Sequence, residues 1–122
     1  MKFQPEHGGA IAVTAYGPHW IAVNGERHDQ SLFISHDGTV QPWFCQSFDE
    51  LTASHLENLS AHSIDILLMG CGSTQQFVPL QWLIPLSQRG IGLESMDTPA
   101  ACRTFNILAS EGRQVSAVLL IA

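Results

Sequence analysis

The residues closest in type and order to a nucleotide-phosphate turn are Gly70-Cys71-Gly72, followed about twenty positions later by Glu94. In doubly wound folds such a glycine turn follows a buried strand, and a later acid meets the ribose hydroxyls. The third glycine of that fingerprint would fall at position 75, which is Gln75, and Gln76-Phe77-Val78-Pro79 reads as extended chain, not as the start of a helix. The fingerprint therefore fails in both sequence and context. What remains is a glycine turn where backbone packs closely.

Cys71, between two glycines at the end of a strand, is expected to stand exposed like a nucleophile on a tight turn. A thiol nucleophile needs a neighbouring base, and none of the six histidines can be set beside it from sequence. The alternative is a small residue filling a turn. Cys102 sits among small residues that read as packing. His55 and His62 lie seven apart, whereas two metal ligands on one helix need a spacing of three or four. His7, His19, His28 and His36 show no ligand spacing either, so the expectation is no metal, no cofactor and no catalytic residue.

The strongest polar grouping is Asp97-Thr98, followed by Arg103, Asn106 and Ser110 at helical intervals. A helix beginning at Thr98 would point free amides and a positive dipole end at the carboxyl edge of the sheet, with Arg103 adding charge. That describes a small-anion pocket. The competing reading is a solvated stripe or a bridge to a neighbouring loop, and Asp97 would repel an anion. The candidate ligand-binding set is thus Gly70, Cys71, Gly72, Ser73, Glu94, Asp97, Thr98, Arg103 and Asn106.

These residues need elements to hold them. Residues 10–16, 19–23, 31–35 and 39–44 are apolar and β-branched, and Asn24-Gly25 and Asp37-Gly38 supply the positive-φ residues of two-residue hairpin loops. An antiparallel N-terminal meander follows. Ser47 and Glu50 have the spacing of a capping box opening a helix to about residue 60, with Phe48, Leu51, His55, Leu59 and His62 on one face. Residues 64–69 form a continuous apolar run, as in a strand covered on both sides. A second helix is expected from Pro79 to Gly90 with Leu80, Leu83, Ile84 and Ser87 on one face; Pro85 requires that it be kinked or start later. Residues 91–96 are the next strand, Thr98-Pro99 opens a third helix as cap and first residue, Gly112 closes it, and residues 115–121 are the last strand. From residue 64 onward the order is β-α-β-α-β, which makes a mainly parallel central sheet. The fold class is layered α/β, with residues 1–122 as one domain.

Composition narrows the functions. Apolar residues make up 45% and charged residues 13% of the 122, against roughly a quarter charged in an ordinary soluble domain, so a protein partner or self-association is expected to cover part of the surface. Eleven acidic residues oppose five basic ones for a net charge of −6, with no basic cluster, which argues against nucleic acid. Residues 1–9 hold one Lys and no apolar run, and the longest apolar stretch, 117–122, is too short to span a bilayer, so neither export nor membrane insertion is expected. Three widely spaced cysteines suit a reducing cytoplasm better than a disulfide framework.

Taken together, Gly70-Cys71-Gly72, the stretch Gly90-Ile91-Gly92-Leu93-Glu94-Ser95-Met96-Asp97-Thr98, Ala100-Ala101-Cys102-Arg103-Thr104-Phe105-Asn106 and Glu111-Gly112-Arg113 resemble the MTH-type domain-of-unknown-function family. Its mitochondrial relatives assist assembly of respiratory complex I. Gly70, Gly72, Asp97, Thr98, Arg103, Asn106 and Arg113 match its polar and glycine signature, whereas Cys71 and Pro99 depart from it. The resemblance implies a compact α/β domain and a non-catalytic binding or assembly role in a bacterial cytoplasm. The alternative from the residues themselves is a small-molecule or anion binder at the rim of the parallel strands.

Overall fold

The computed structural model describes residues 11–59 and 62–121. The expectations that touch residues 1–10, 60 and 122, the reading of the first nine residues, the place of His7 and the outer ends of two elements among them, lie outside the described residues.

β1 (Val13–Gly17), β2 (Trp20–Val23) and β3 (Glu26–His28) form an antiparallel sheet in that order. Asn24 and Gly25 turn between β2 and β3 with φ of 50° and 87°, the paired positive values that Asn-Gly favours. The sequence pattern omits β3 because Glu26-Arg27-His28 buries no apolar face; the strand exists through its backbone ladder to β2. β4 (Leu32–Ser35) and β5 (Val40–Pro42) form the next hairpin. Its loop, His36-Asp37-Gly38, is one residue longer than expected, and Gly38 takes φ of 100°. Asp37 Oδ1 accepts from Thr39 N at 3.0 Å and from Thr39 Oγ1 at 2.7 Å, and the hydroxyl bond is the main reason the Asp37 carboxyl titrates below its usual range.

The N-terminal strands do not stay in one layer. β4 leaves the meander and joins a five-stranded sheet of order β5-β4-β8-β6-β7, in which β6 is Ile66–Gly70, β7 is Gly92–Met96 and β8 is Val115–Leu119. The β6 strand runs parallel to both β7 and β8, and β4 is antiparallel to β8, so the central sheet is mixed. The reason lies in β4 itself: Leu32, Phe33 and Ile34 are all fully buried, so the strand needs cover on both faces.

The helices differ from expectation mainly in phase. In place of a helix from Ser47, a 3-10 turn spans Phe48–Glu50 and α1 runs over Ala53–Leu59. Ser47 caps nothing, and Glu50 Oε1 accepts instead from Gln46 N at 2.9 Å. The reciprocal cap forms five residues later, where His55 N donates to Thr52 Oγ1 at 3.4 Å and Thr52 N donates to His55 Nδ1 at 3.1 Å. Leu56 and Leu59 are the buried residues of α1, and His62 is exposed. Pro85 has its effect too: Leu80–Leu83 is a 3-10 turn and α2 begins only at Ile84 (Ile84–Gln88), placing the proline in the first turn, where its missing N–H needs no partner. The expected apolar face is therefore wrong; Leu86 is buried, while Leu80 and Ile84 are 80% and 53% exposed. α3 is Thr98–Ser110, and its cap is Asp97, not Thr98, because Asp97 Oδ1 accepts from Ala100 N at 2.8 Å.

Alternation along the central strands divides the core. Leu67 and Met69 face a cluster with Phe33, Leu56 and Leu86, under α1 and α2. Leu68 faces the other side, with Ile21, Val23 and Phe105, under α3 and the three-stranded sheet.

Candidate functional site

The glycine turn and the start of α3 do meet, at the carboxyl ends of the parallel strands. Thr98 N donates to Gly72 O at 2.8 Å, and Gly72 N donates back to Thr98 Oγ1 at 2.8 Å. The Thr98 hydroxyl in turn donates to Leu120 O at 2.6 Å, and Leu120 N donates to Gly70 O at 3.1 Å. One buried hydroxyl thus ties together the segments that follow β6, β7 and β8. Gly70 is required beneath it: a Cβ there would sit 3.0 Å from Thr98 Oγ1 and 3.1 Å from both Thr98 Cα and Val118 O. Gly72 turns with φ of 96°.

Beside this knot lies a cleft of about 490 Å³. Gly72, Ser73 and Thr98 form one wall, and the β1–β2 hairpin, through Tyr16, Pro18 and Trp20, forms the other. The hairpin residues escape sequence reasoning because nothing local to residues 16–20 says which rim they will cover. Trp20 is held at the lip by Arg27, whose guanidinium carbon lies 4.6 Å from the ring centroid, and Arg27 Nε is paired with Asp29 Oδ1 at 2.9 Å.

The remaining candidates are distributed otherwise. The Cys71 thiol is buried, not exposed as a nucleophile would be; it lies 3.3 Å from Gln76 O, and burial pushes its pKa up. Glu94 is among the residues lining a separate groove, with Gln75 and Phe77. Asp97 is engaged in its cap. Arg103 Nη1 donates to Tyr16 Oη at 2.7 Å, and Asn106 holds both backbone groups of Val13, accepting from N and donating to O at 2.8 Å each. Both residues clamp α3 to β1.

Electrostatics at the rim follow from these bonds. In the first turn of α3, Thr98 N, Ala100 N and Ala101 N are bonded to Gly72 O, Asp97 Oδ1 and Asp97 O, and Pro99 has no N–H. The cleft is lined mainly by apolar and aromatic groups, and the first-turn amides of α3 that an anion would use are occupied within the chain.

A second cysteine has the partner that Cys71 lacks. Cys45 Sγ lies 3.3 Å from His55 Nδ1, a pair hidden from sequence reasoning because the two lie ten positions apart across a 3-10 turn and the start of α1. The imidazole nitrogen already accepts from Thr52 N, and burial raises the Cys45 pKa, with Glu50 adding to the effect. Cys102 is more extreme; burial pushes its thiol up to about 12. All three thiols are buried, and none is joined in a disulfide. Among the described residues, no group of three or more His, Cys, Asp or Glu side chains is placed to hold a metal ion, and no helix is long and apolar enough to cross a membrane.

A family model described as a protein of unknown function, DUF498/DUF598, matches residues 13–120. An uncharacterized protein of Rhodobacter capsulatus is 37% identical over 117 residues, which cover 96% of this chain and 90% of the relative. The human protein NADH dehydrogenase (ubiquinone) 1 alpha subcomplex assembly factor 3 is 32% identical over 119 residues, covering 96% of this chain but only 64% of the human protein's length. Among solved structures, a Mth938-like domain from Bordetella pertussis matches with a TM-score of 0.84 at 31% identity, covering 98% of this chain and 90% of that one.

Proposed function

This chain belongs to the DUF498/DUF598 family of proteins of unknown function, and we propose that it acts as a non-enzymatic protein-binding module of the assembly type. The observation that carries the reading is the 32% identity to human assembly factor 3, which extends over 119 residues and so over nearly the whole domain. The chemistry of the chain supports it. The three thiols are buried, the candidate rim residues Gly70, Asp97, Arg103 and Asn106 are engaged in holding elements together, and large apolar side chains stand exposed elsewhere. The partner in this reading is another protein subunit or a second copy of the chain, met in the cytoplasm, where the cysteines remain reduced.

The test is recovery of the tagged full chain from native extract, followed by gel filtration under gentle conditions. A stoichiometric co-eluting protein or a stable dimer is expected. Elution as a lone monomer overturns the reading.

A second reading rests on the cleft of about 490 Å³ at Gly72, Ser73 and Thr98, a size that suits a small organic molecule. A ligand that binds only the folded state raises its melting temperature. A thermal-shift series of neutral aromatic compounds, nucleotides and organic acids therefore separates the readings, and no shift with any of them removes the second.

A further inference from the structure

Among the described residues β7 is, with β5, one of the two edge strands of the five-stranded sheet. Its bonding phase is fixed at both ends, because Gly92 N donates to Asp65 O at 3.0 Å and Cys71 N donates to Met96 O at 2.8 Å. Gly92, Glu94 and Met96 therefore turn their backbone groups toward β6, and Leu93 and Ser95 turn theirs outward. Gln75 Nε2 donates to Ser95 O at 3.2 Å; the outward N–H groups of Leu93 and Ser95 and the carbonyl of Leu93 have no partner among the described residues. A groove of about 380 Å³ runs along this edge, lined by Phe77, Leu80, Leu83, Leu93 and Glu94. Phe77 and Leu80 are 78% and 80% exposed.

The two faces of the edge differ chemically. Leu93 packs with the cluster under α1 and α2, on the side of Leu83 and Val78. Glu94 shares its side of the strand with Met96, which packs in the cluster under α3. Its carboxylate has no ion pair among the described residues.

We propose that the β7 edge takes up an extended segment of a partner protein as an added strand, with apolar side chains on one face and Lys or Arg on the other. The inference rests on the binding-module reading and names the chemistry of the partner. In a paired strand the residue opposite Glu94 puts its side chain on the Glu94 face, and its two neighbours point to the apolar groove. A basic residue there meets an unpaired carboxylate, and the neighbours cover Phe77, Leu80 and Leu93. A second copy fits poorly: two β7 strands paired with Leu93 opposite Ser95 set Glu94 against Glu94, and each chain carries a net charge of −6. The partner is thus a period-two segment, apolar alternating with basic.

The probe is a fluorescent peptide of about ten residues alternating Val and Lys, long enough for one strand, compared with a Val/Glu peptide and with a scrambled peptide of the first composition. Anisotropy titrations use the full chain at about 0.15 M salt, which screens long-range attraction. The Val/Lys peptide is expected to bind about tenfold more tightly than either control, about 1.4 kcal/mol, and Glu94→Lys to reverse the preference between Lys and Glu. Ser95→Pro removes an outward N–H that β6 does not use, so it should weaken binding about tenfold with the far-UV dichroism and melting temperature kept. Leu80→Ser should weaken it likewise. Equal affinity for the three peptides overturns the proposal. So does an equal effect from Glu26→Lys, the same charge change on exposed β3, or self-association of the chain that Leu80→Ser abolishes. A natural partner retained by Ser95→Pro in the extract experiment removes the edge site and leaves the binding-module reading standing. Peptide binding by a chain that recovers no partner does the reverse.

Discussion

Thr98 does not cap its helix; it joins the ends of three strands. Its hydroxyl accepts from Gly72 N and donates to Leu120 O while the residue itself is buried. Valine has nearly the same shape and neither capacity, so Thr98→Val leaves one donor and one acceptor buried without partners, at about 1–3 kcal/mol each. We expect Thr98→Val to lower unfolding free energy by about 2–6 kcal/mol, read as a fall in the urea midpoint with unchanged slope. Thr98→Ser keeps both bonds and loses one methyl, which costs about 1 kcal/mol. Equal stability of the Val and Ser variants would show that the hydroxyl is not what joins the three segments. Sequence places Thr98 at a helix start correctly, through Pro99, but assigns it the cap. Asp97 and Thr98 are both cap-forming types, and only the reach of Asp97 Oδ1 to Ala100 N, with Thr98 turned to the sheet, separates them.

The element that organises the rim is α3, and its polar stripe works as a clamp. β1 pairs with β2 on one side only, and on its other side Asn106 supplies the amide that bonds both backbone groups of Val13. Asn106→Leu removes both bonds from a part-buried pair, so a loss of about 1–3 kcal/mol and a selective rise in amide exchange along β1 are expected. Arg103→Ala removes a bond from an exposed guanidinium to Tyr16 and should cost about 0–1 kcal/mol. If both variants lost the same stability, Asn106 would be no more than part of the solvated face. The stripe at Arg103, Asn106 and Ser110 is legible in sequence because its period is helical; its target is not, since Val13 and Tyr16 lie some ninety residues away and no local pattern names them. The same limit explains the wrong face at Leu80 and Ile84. The spacing of apolar residues shows a helical segment, but the 3-10 turn before Pro85 shifts the phase, and exposed leucines look like core until the neighbours are known. The turn at Asn24-Gly25 survives because its own chemistry fixes a tight connection, yet the strand it leads into, β3, is missed because Glu26-Arg27-His28 carries no apolar pattern.

Across the whole molecule, protection from solvent should follow position in the sheet. β8 is flanked by β4 and β6, all five of its residues are buried, and it lies between the two halves of the core, so its amides open only with most of the structure. β7 has a neighbour on one side only, and its outward and inward amides alternate. Hydrogen exchange followed by NMR should therefore show the slowest amides in β8 and β6, and within β7 a fast Leu93 and Ser95 flanking a slow Glu94. The gap between Ser95 and the β8 amides should reach about a thousandfold, the factor that about 4 kcal/mol of extra opening energy produces. Uniform protection along β7 in the purified chain would mean that its outer side is already bonded. A dimeric species would then identify the occupant as a second copy. Self-pairing in a dimer would contradict the charge argument at Glu94, so the size of the species in the same sample, monomer or dimer, tests that argument directly.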